Sequence, residues 1–183
     1  GKGEARHVNR GTDTVTNFVW SPDGKRIALV LARTSEPVDA SSFQRLVVIS
    51  ATDGANAQDL DQGDGKTPFI IREIAWSPDS RQLAYAVSAR GGMSHIDELR
   101  VRTVDSARVT DVAAKLDLEL TGFVWARDAK SIVASAIVRT ITKLYRLPLD
   151  GGGAKEIPIG KRVLFGLDGD RTGRYLVAGS TTS

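Results

Sequence analysis

Phe18-Val19-Trp20-Ser21-Pro22-Asp23-Gly24-Lys25-Arg26-Ile27-Ala28-Leu29-Val30 decides the fold, because it comes back. It returns as Ile74-Ala75-Trp76-Ser77-Pro78-Asp79-Ser80-Arg81-Gln82-Leu83-Ala84-Tyr85-Ala86. A more worn copy runs Phe123-Val124-Trp125-Ala126-Arg127-Asp128-Ala129-Lys130-Ser131-Ile132-Val133-Ala134, and a fourth Gly169-Asp170-Arg171-Thr172-Gly173-Arg174-Tyr175-Leu176-Val177-Ala178. Trp20, Trp76 and Trp125 are 56 and 49 residues apart, and Gly169 follows Trp125 by 44. Periods of about 40 to 50 residues are those of four-stranded propeller blades.

Each unit reads strand by strand. A short apolar strand ends at the Trp, and Ser-Pro-Asp-Gly then suits a type I turn, with Pro presetting the second position and Gly fitting the fourth. The next strand, Arg26 to Leu31 or Ser131 to Val138, is apolar almost without alternation, as a central strand covered on both faces should be. Third strands alternate, as in Glu98-Leu99-Arg100-Val101-Arg102 and Leu144-Tyr145-Arg146-Leu147, which puts them nearer the rim with one face partly wet. After turns at Thr52-Asp53-Gly54, Asp105-Ser106 and Asp150-Gly151-Gly152 comes a short polar fourth strand such as Ala57 to Leu60, whose charges protect an outer edge.

The expected architecture is all-β: a β-propeller segment of about four blades of four-stranded antiparallel sheets, part of a larger seven- to eight-bladed ring. One segment, 1–183, holds blades at about 10–62, 69–113 and 119–159, a partial blade at 162–183, and at 1–9 the outer strand of a preceding blade. An arc of this kind leaves its end sheets bare, and their apolar central strands need cover. The expected cover is the rest of a parent chain, or failing that a second copy.

Composition agrees. Of 183 residues 41% are hydrophobic and 26% charged, with no Cys, which excludes a disordered chain, a disulfide scaffold, a Cys nucleophile and a thiolate zinc site. The 25 basic and 22 acidic residues are interspersed with no block of five like charges, so nucleic acid is not an expected partner. The longest apolar runs are strand-sized and no membrane span is expected. Gly1-Lys2-Gly3-Glu4-Ala5-Arg6-His7 has no initiator Met, apolar run or cleavage signature, so the chain reads as a trimmed or excised segment. Both a cytoplasmic and a periplasmic setting fit.

The Trp-Ser-Pro-Asp-Gly-Lys-Arg-Ile-Ala repeat resembles the WD-like propeller repeats of the prolyl oligopeptidase family of serine peptidases, especially its dipeptidyl-peptidase and acylaminoacyl-peptidase branches. The propeller of the periplasmic Tol-Pal translocation protein carries similar repeats. The likeness extends over nearly the whole chain. The opening Gly1 to Val8 is similar to a blade-closing strand of the peptidase propellers, and Tyr175 to Thr182 resembles a stretch preceding their last blades. The third and fourth copies depart from the pattern: both lose the Pro, and the fourth has Gly169 for Trp. The resemblance implies a separate α/β-hydrolase domain as partner, and a complete propeller that covers its active site and restricts entry to short peptides. A Tol-type or sensor propeller, binding a protein or ligand with no enzymatic activity, is the other reading.

The chain itself offers little for catalysis. It has no Gly-x-Ser-x-Gly elbow, so the peptidase triad maps onto none of its residues. His7 and His95 are its two histidines, and surface positions suit them better than a triad or a zinc site. Gly63-Asp64-Gly65-Lys66-Thr67 mimics the end of a phosphate-binding loop, but Leu60 stands where the first Gly belongs and Pro68 where a helix should start, leaving a loop between blades. Asp59 to Gly65 gathers carboxylates without the spacing of a calcium loop and reads as a solvated acidic turn. No cofactor is expected. The three tryptophans are expected at equivalent buried positions between blades. Lys25, Arg26, Arg81 and Lys130 are expected to solvate the strand ends after the turns.

The repeats differ where function is usually found. From each Trp to the Asp of the third turn (Asp53, Asp105, Asp150) run 33, 29 and 25 residues, and most of the variation falls between the second and third strands. In an up-and-down blade those loops, Thr34 to Ser42, Ala89 to Ile96 and Arg139 to Ile141, emerge on the same face as the blade-to-blade connection Asp61 to Pro68. A binding surface is expected there, with Arg33, Glu36, Asp64, Lys66, Arg90, His95 and Arg139 as candidates and a peptide as a fitting ligand.

Overall fold

In the computed structural model the turn after each Trp shows why the repeat is spelled as it is. Ser21 Oγ donates to Asp23 Oδ1 (2.6 Å) and accepts from Arg26 N (2.9 Å), Asp23 Oδ1 accepts from Lys25 N (3.0 Å), and Gly24 N closes the turn on Ser21 O (2.9 Å). Ser77, Asp79, Ser80, Arg81 and Gln82 repeat each bond. In the worn copy Ala126 has lost the hydroxyl, but Asp128 still accepts from Lys130 N (2.8 Å) and Ala129 N still reaches Ala126 O (3.0 Å). The closing residue takes φ of 73° at Gly24, 61° at Ser80 and 53° at Ala129, so the last two adopt a left-handed geometry that favours Gly.

The structure describes residues 13–32, 43–88, 98–114, 116, 119–160, 162–169 and 175–181, with no helix among them. Blade 1 is β1 (Thr14–Trp20), β2 (Arg26–Ala32), β3 (Gln44–Ser50) and β4 (Gln58–Asp61). Blade 2 is β5 (Ile70–Trp76), β6 (Gln82–Ser88), β7 (Glu98–Thr103) and β8 (Val109–Asp111); blade 3 is β9 (Glu119–Trp125), β10 (Ser131–Val138), β11 (Ile141–Pro148) and β12 (Lys155–Ile157). All three sheets are antiparallel with strands in chain order, and β13 (Arg162–Gly169) pairs with β14 (Tyr175–Thr181) as a two-stranded fourth unit. The expected lone strand at 1–9 lies outside the described residues.

The second strands of blades 1 to 3 are buried on both faces, as their composition predicts, and the fourth strands are short and range from exposed to half-buried except for the buried Leu60. Every first strand carries a bulge at the same place, on Thr16, Arg72, Thr121 and Phe165, four residues before Trp20, Trp76, Trp125 and Gly169. The shared bulge puts Gly169 in register with the tryptophans despite its different residue type.

The core lies between blades. One cluster joins Ala28, Val30, Leu46 and Val48 of blade 1 to Ile71, Ile74, Trp76, Leu83, Tyr85 and Val87 of blade 2; a second joins Ala84, Ala86, Leu99 and Val101 to Leu120, Phe123, Trp125, Ile132 and Ala134 of blade 3. Each buried indole clasps the blade before it, Trp76 Nε1 donating to Val19 O (3.2 Å) and Trp125 Nε1 to Ala75 O (3.0 Å).

Three expectations need correction. Trp20 is exposed, not buried, because no described blade lies ahead of β1. The central strand of blade 1 is not bare: Ile27, Leu29 and Leu31 are buried, and the open strip is confined to β1. Lys25, Arg81 and Lys130 are exposed as expected, but Arg26 is not simply solvating a strand end. It donates from Nη2 to Ser80 O (2.5 Å) and stacks 5.1 Å over Trp76, tying the turns of two blades. The alternate face of β7 is likewise engaged, since Arg102 Nη1 donates to Leu60 O and Arg100 reaches Asp61.

Candidate functional site

The connection from β4 to β5 and the openings between second and third strands share one face, as the blade topology requires. Gln44, buried at the start of β3, donates its N–H to Phe69 O (3.0 Å) and accepts at Oε1 from Ile71 N (2.8 Å), so this face is stitched across blades 1 and 2. Beside it lies a recess of about 440 Å³ lined by Asp61, Gly63, Asp64, Thr67, Pro68, Phe69, Val87, Glu98 and Arg100.

Arg100 is the hub. Its Nη1 donates to Asp61 Oδ2 (2.8 Å), its Nε donates to Glu98 Oε2 (2.7 Å), and its guanidinium lies 5.3 Å over the Phe69 ring. Tyr85 reaches out of the core to donate to Asp61 Oδ2 (2.6 Å), and Gly63 N donates to Asp61 Oδ1 (3.1 Å). Burial alone would push the Asp61 carboxyl up, but Tyr85, Gly63 and Arg100 outweigh it and hold it below the usual carboxylate range. Burial and the bond to Asp61 raise Tyr85, so its hydroxyl stays protonated. Burial opposes the charge on Arg100, but Glu98 and Asp61 more than compensate. The four side chains satisfy one another, so the cluster braces the junction of blades 1 and 2 and leaves no member poised for proton transfer.

Of the residues expected on this face, Asp64 lines the recess. Its Oδ1 accepts from Lys66 N (2.8 Å) and Thr67 N (2.7 Å) and its Oδ2 from Thr67 Oγ1 (3.0 Å), bonds that pull its carboxyl below the usual range. The N–H groups that a bound phosphate would need are thus turned onto Asp64. Lys66 is exposed on the same connection, but is not among the described lining residues. Arg139 occupies the two-residue turn between β10 and β11 at φ 60°, on blade 3, and does not join them. Arg33, Glu36, Arg90 and His95 lie outside the described residues, as does His7. Asp61, Tyr85, Glu98 and Arg100 went unnoticed as a cluster in the sequence. The available signal was Tyr85 itself, a hydroxyl in a central strand where the neighbouring copies have Leu29 and Ala134.

A second cleft, about 400 Å³, runs along the ends of the first strands at the turn side and is lined by residues of β1, β5, β9 and β13, including Trp20, Glu73, Trp76, Trp125 and Asp168. Burial pushes the Glu73 carboxyl up to about 7, with the backbone N–H of Phe123 opposing and the Asp168 charge assisting.

No family model matches the chain. It is 26% identical over 149 residues to dipeptidyl-peptidase 5 of Porphyromonas gingivalis, an alignment covering 80% of this chain and 21% of that protein, and 24% identical over 131 residues to YuxL, an uncharacterized peptidase of Bacillus subtilis, covering 72% and 17%. The chain therefore spans about a fifth of the length of these relatives. Among solved structures, oligogalacturonate lyase of Vibrio parahaemolyticus aligns with a TM-score of 0.69 at 12% identity over 93% of this chain and 48% of that one. A puromycin-hydrolysing peptidase of Mycobacterium tuberculosis gives 0.63 at 20% over 90% and 28%, and a TolB-type protein of Agrobacterium tumefaciens 0.54 at 16% over 96% and 73%. A lyase, a peptidase and a Tol protein sharing one architecture show that the fold by itself carries no activity. With the blade geometry and the sequence relatives taken together, the chain is a β-propeller segment whose repeats resemble those of prolyl-oligopeptidase-family serine peptidases, with the Tol propeller also similar.

Proposed function

We propose that this chain is the non-catalytic propeller segment of a prolyl-oligopeptidase-like serine peptidase, completed by further blades and seated over an α/β-hydrolase domain whose access to peptides it limits. The observation that carries the reading is that both sequence relatives, aligned over 72–80% of this chain, are peptidases that extend far beyond the aligned part. The recess at Asp61, Arg100 and Phe69 then belongs to the loop face, where an extended peptide could lie against backbone and paired polar groups.

The test is the polypeptide encoded around this segment. A downstream Gly-x-Ser-x-Gly, with hydrolysis of dipeptidyl or acylaminoacyl substrates lost on replacing that serine, is the expected result; the 183-residue chain alone should hydrolyse neither. The alternative, a Tol-type or sensor propeller that binds a protein or ligand, draws support from the 96% of this chain that aligns with the Agrobacterium protein. A gene with no hydrolase domain and an α/β domain upstream decides for it.

A further inference from the structure

The repeat forms the same groove between neighbouring blades twice on the turn side, and long side chains bridge only one of the two. Between blades 1 and 2, Arg26 donates from Nη2 to Ser80 O (2.5 Å) and pairs with Asp105 (3.4 Å), and Gln58 Nε2 donates to Val104 O (2.9 Å). Strand register assigns their counterparts in blade 2. Arg26 lies opposite Ser50 as Gln82 lies opposite Thr103, and Gln58 opposite Val48 as Thr110 opposite Val101. Gln82 reaches Ala129 O only at 3.4 Å, and its neutral amide cannot pair with Asp150, the counterpart of Asp105. Thr110 is too short to cross. Between blades 2 and 3 the same place is therefore a recess of about 340 Å³.

The lining of this recess has the chemistry of a binding site. Val101 and Leu149 supply apolar surface, Thr103 and Thr110 each bring a hydroxyl, and Arg108 and Lys130 are exposed cations that form no ion pair among the described residues. Arg108 has no cationic counterpart in blade 1, where Asn56 stands two residues before Gln58 as Arg108 does before Thr110. Asp150 is the one carboxylate of the lining, and its Oδ1 accepts from Gly152 N (3.0 Å). We propose that the recess binds a small aliphatic carboxylate. Its charged end lies against Arg108 and Lys130 and accepts from the threonine hydroxyls, in the stronger class of hydrogen bonds that a charge assists, and its chain covers Val101 and Leu149. Two cations against one carboxylate leave a single positive charge, which a monoanion neutralises, whereas a phosphate dianion brings an excess negative charge beside Asp150. The volume falls at the small end of ligand pockets. This site is on the opposite face from the Asp61 and Arg100 recess, and it stands whether or not the parent protein is a peptidase.

The experiment titrates the 183-residue chain at low ionic strength with N-acetylleucine, with its neutral amide N-acetylleucinamide and with inorganic phosphate, and follows the amide chemical shifts of Val101, Thr103, Thr110 and Leu149. N-acetylleucine should shift these amides saturably, the amide and phosphate should bind several-fold more weakly, and added salt should weaken the carboxylate. Arg108→Gln and Lys130→Gln should each weaken it by about two- to fivefold. Asp150→Asn, which keeps the acceptor for Gly152 N and removes the opposing charge, should tighten it. Thr110→Gln carries the longer side chain of Gln58 into the recess and should block binding without lowering the unfolding midpoint, so that blocking is distinguished from unfolding. Four results overturn the proposal: no saturable shift with N-acetylleucine, equal binding of its amide, equal or tighter binding of phosphate, or weaker binding in Asp150→Asn, which would mark a zwitterion site.

Discussion

Trp125 and Trp20 occupy the same position of the repeat, yet the structure assigns them different energies. Trp125 is buried among Ala84, Ala86, Phe123 and Ile132, and its Nε1 donates to Ala75 O at 3.0 Å. An aromatic side chain covers about 150–250 Å², so at about 25 cal/mol per Å² its removal loses about 4–6 kcal/mol as an upper bound. Core Trp→Ala changes cost about 3–5 kcal/mol, and that is the loss expected for Trp125→Ala. Trp125→Phe keeps most of the apolar area and removes the clasp, for about 1–2 kcal/mol. Trp20, more than half exposed, should lose about 1–2 kcal/mol on Trp20→Ala in this chain. Urea unfolding followed by circular dichroism, with midpoints compared at equal slope, gives all three. Equal costs for Trp20→Ala and Trp125→Ala would refute the argument, since they would mean that the first blade is covered like the third.

Glu73→Gln tests the carboxyl near the ends of the first strands. With its folded value near 7 and the unfolded one near 4.5, the folded chain holds the extra proton between them, so Glu73 costs stability progressively as pH rises through that window. Glutamine keeps an acceptor for Phe123 N, and Glu73→Gln should be more stable than wild type by roughly 2–3 kcal/mol at about pH 8 and equal to it near pH 4; a difference independent of pH would sink the idea. Gly63 sits at φ 62°, and an added Cβ would lie 2.9 Å from Phe69 Cγ, so Gly63→Ala should cost about 1–3 kcal/mol, more than Gly24→Ala, where φ is 73° but the space is open. Thermal melts of the two variants check the order. Arg26→Met keeps the apolar stem but drops the bond to Ser80 O and the stacking on Trp76, for about 1–3 kcal/mol. Lys25→Met should stay within about 0.5 kcal/mol, and denaturant midpoints separate the pair.

The blades were legible because their causes are local. Ser-Pro-Asp-Gly closes on its own atoms, a strand buried on both faces must be apolar along its whole length, and a repeated period of the right length leaves a propeller as the architecture that satisfies both. Even in the worn third copy Asp128 keeps its bond to the amide of Lys130, and Ala129 N its bond to Ala126 O, so the turn pattern is preserved. What the chain alone left open was whatever depends on a neighbour distant in sequence. Trp20 and Trp125 are the same residue in the same motif, and it is packing against a described neighbouring blade that makes Trp125 a core indole while Trp20 stays exposed among the described residues. Arg26 reads as a solvated charge until the turn of blade 2 brings Ser80 O and Trp76 within reach. Asp61, Tyr85 and Arg100 stand 24 and 15 residues apart; Tyr85 and Arg100 are cross-strand partners in blade 2, and Asp61 of blade 1 meets them because the two blades pack with a fixed stagger. Burial, and with it the strength of each polar contact, is a property of that packing rather than of residue type.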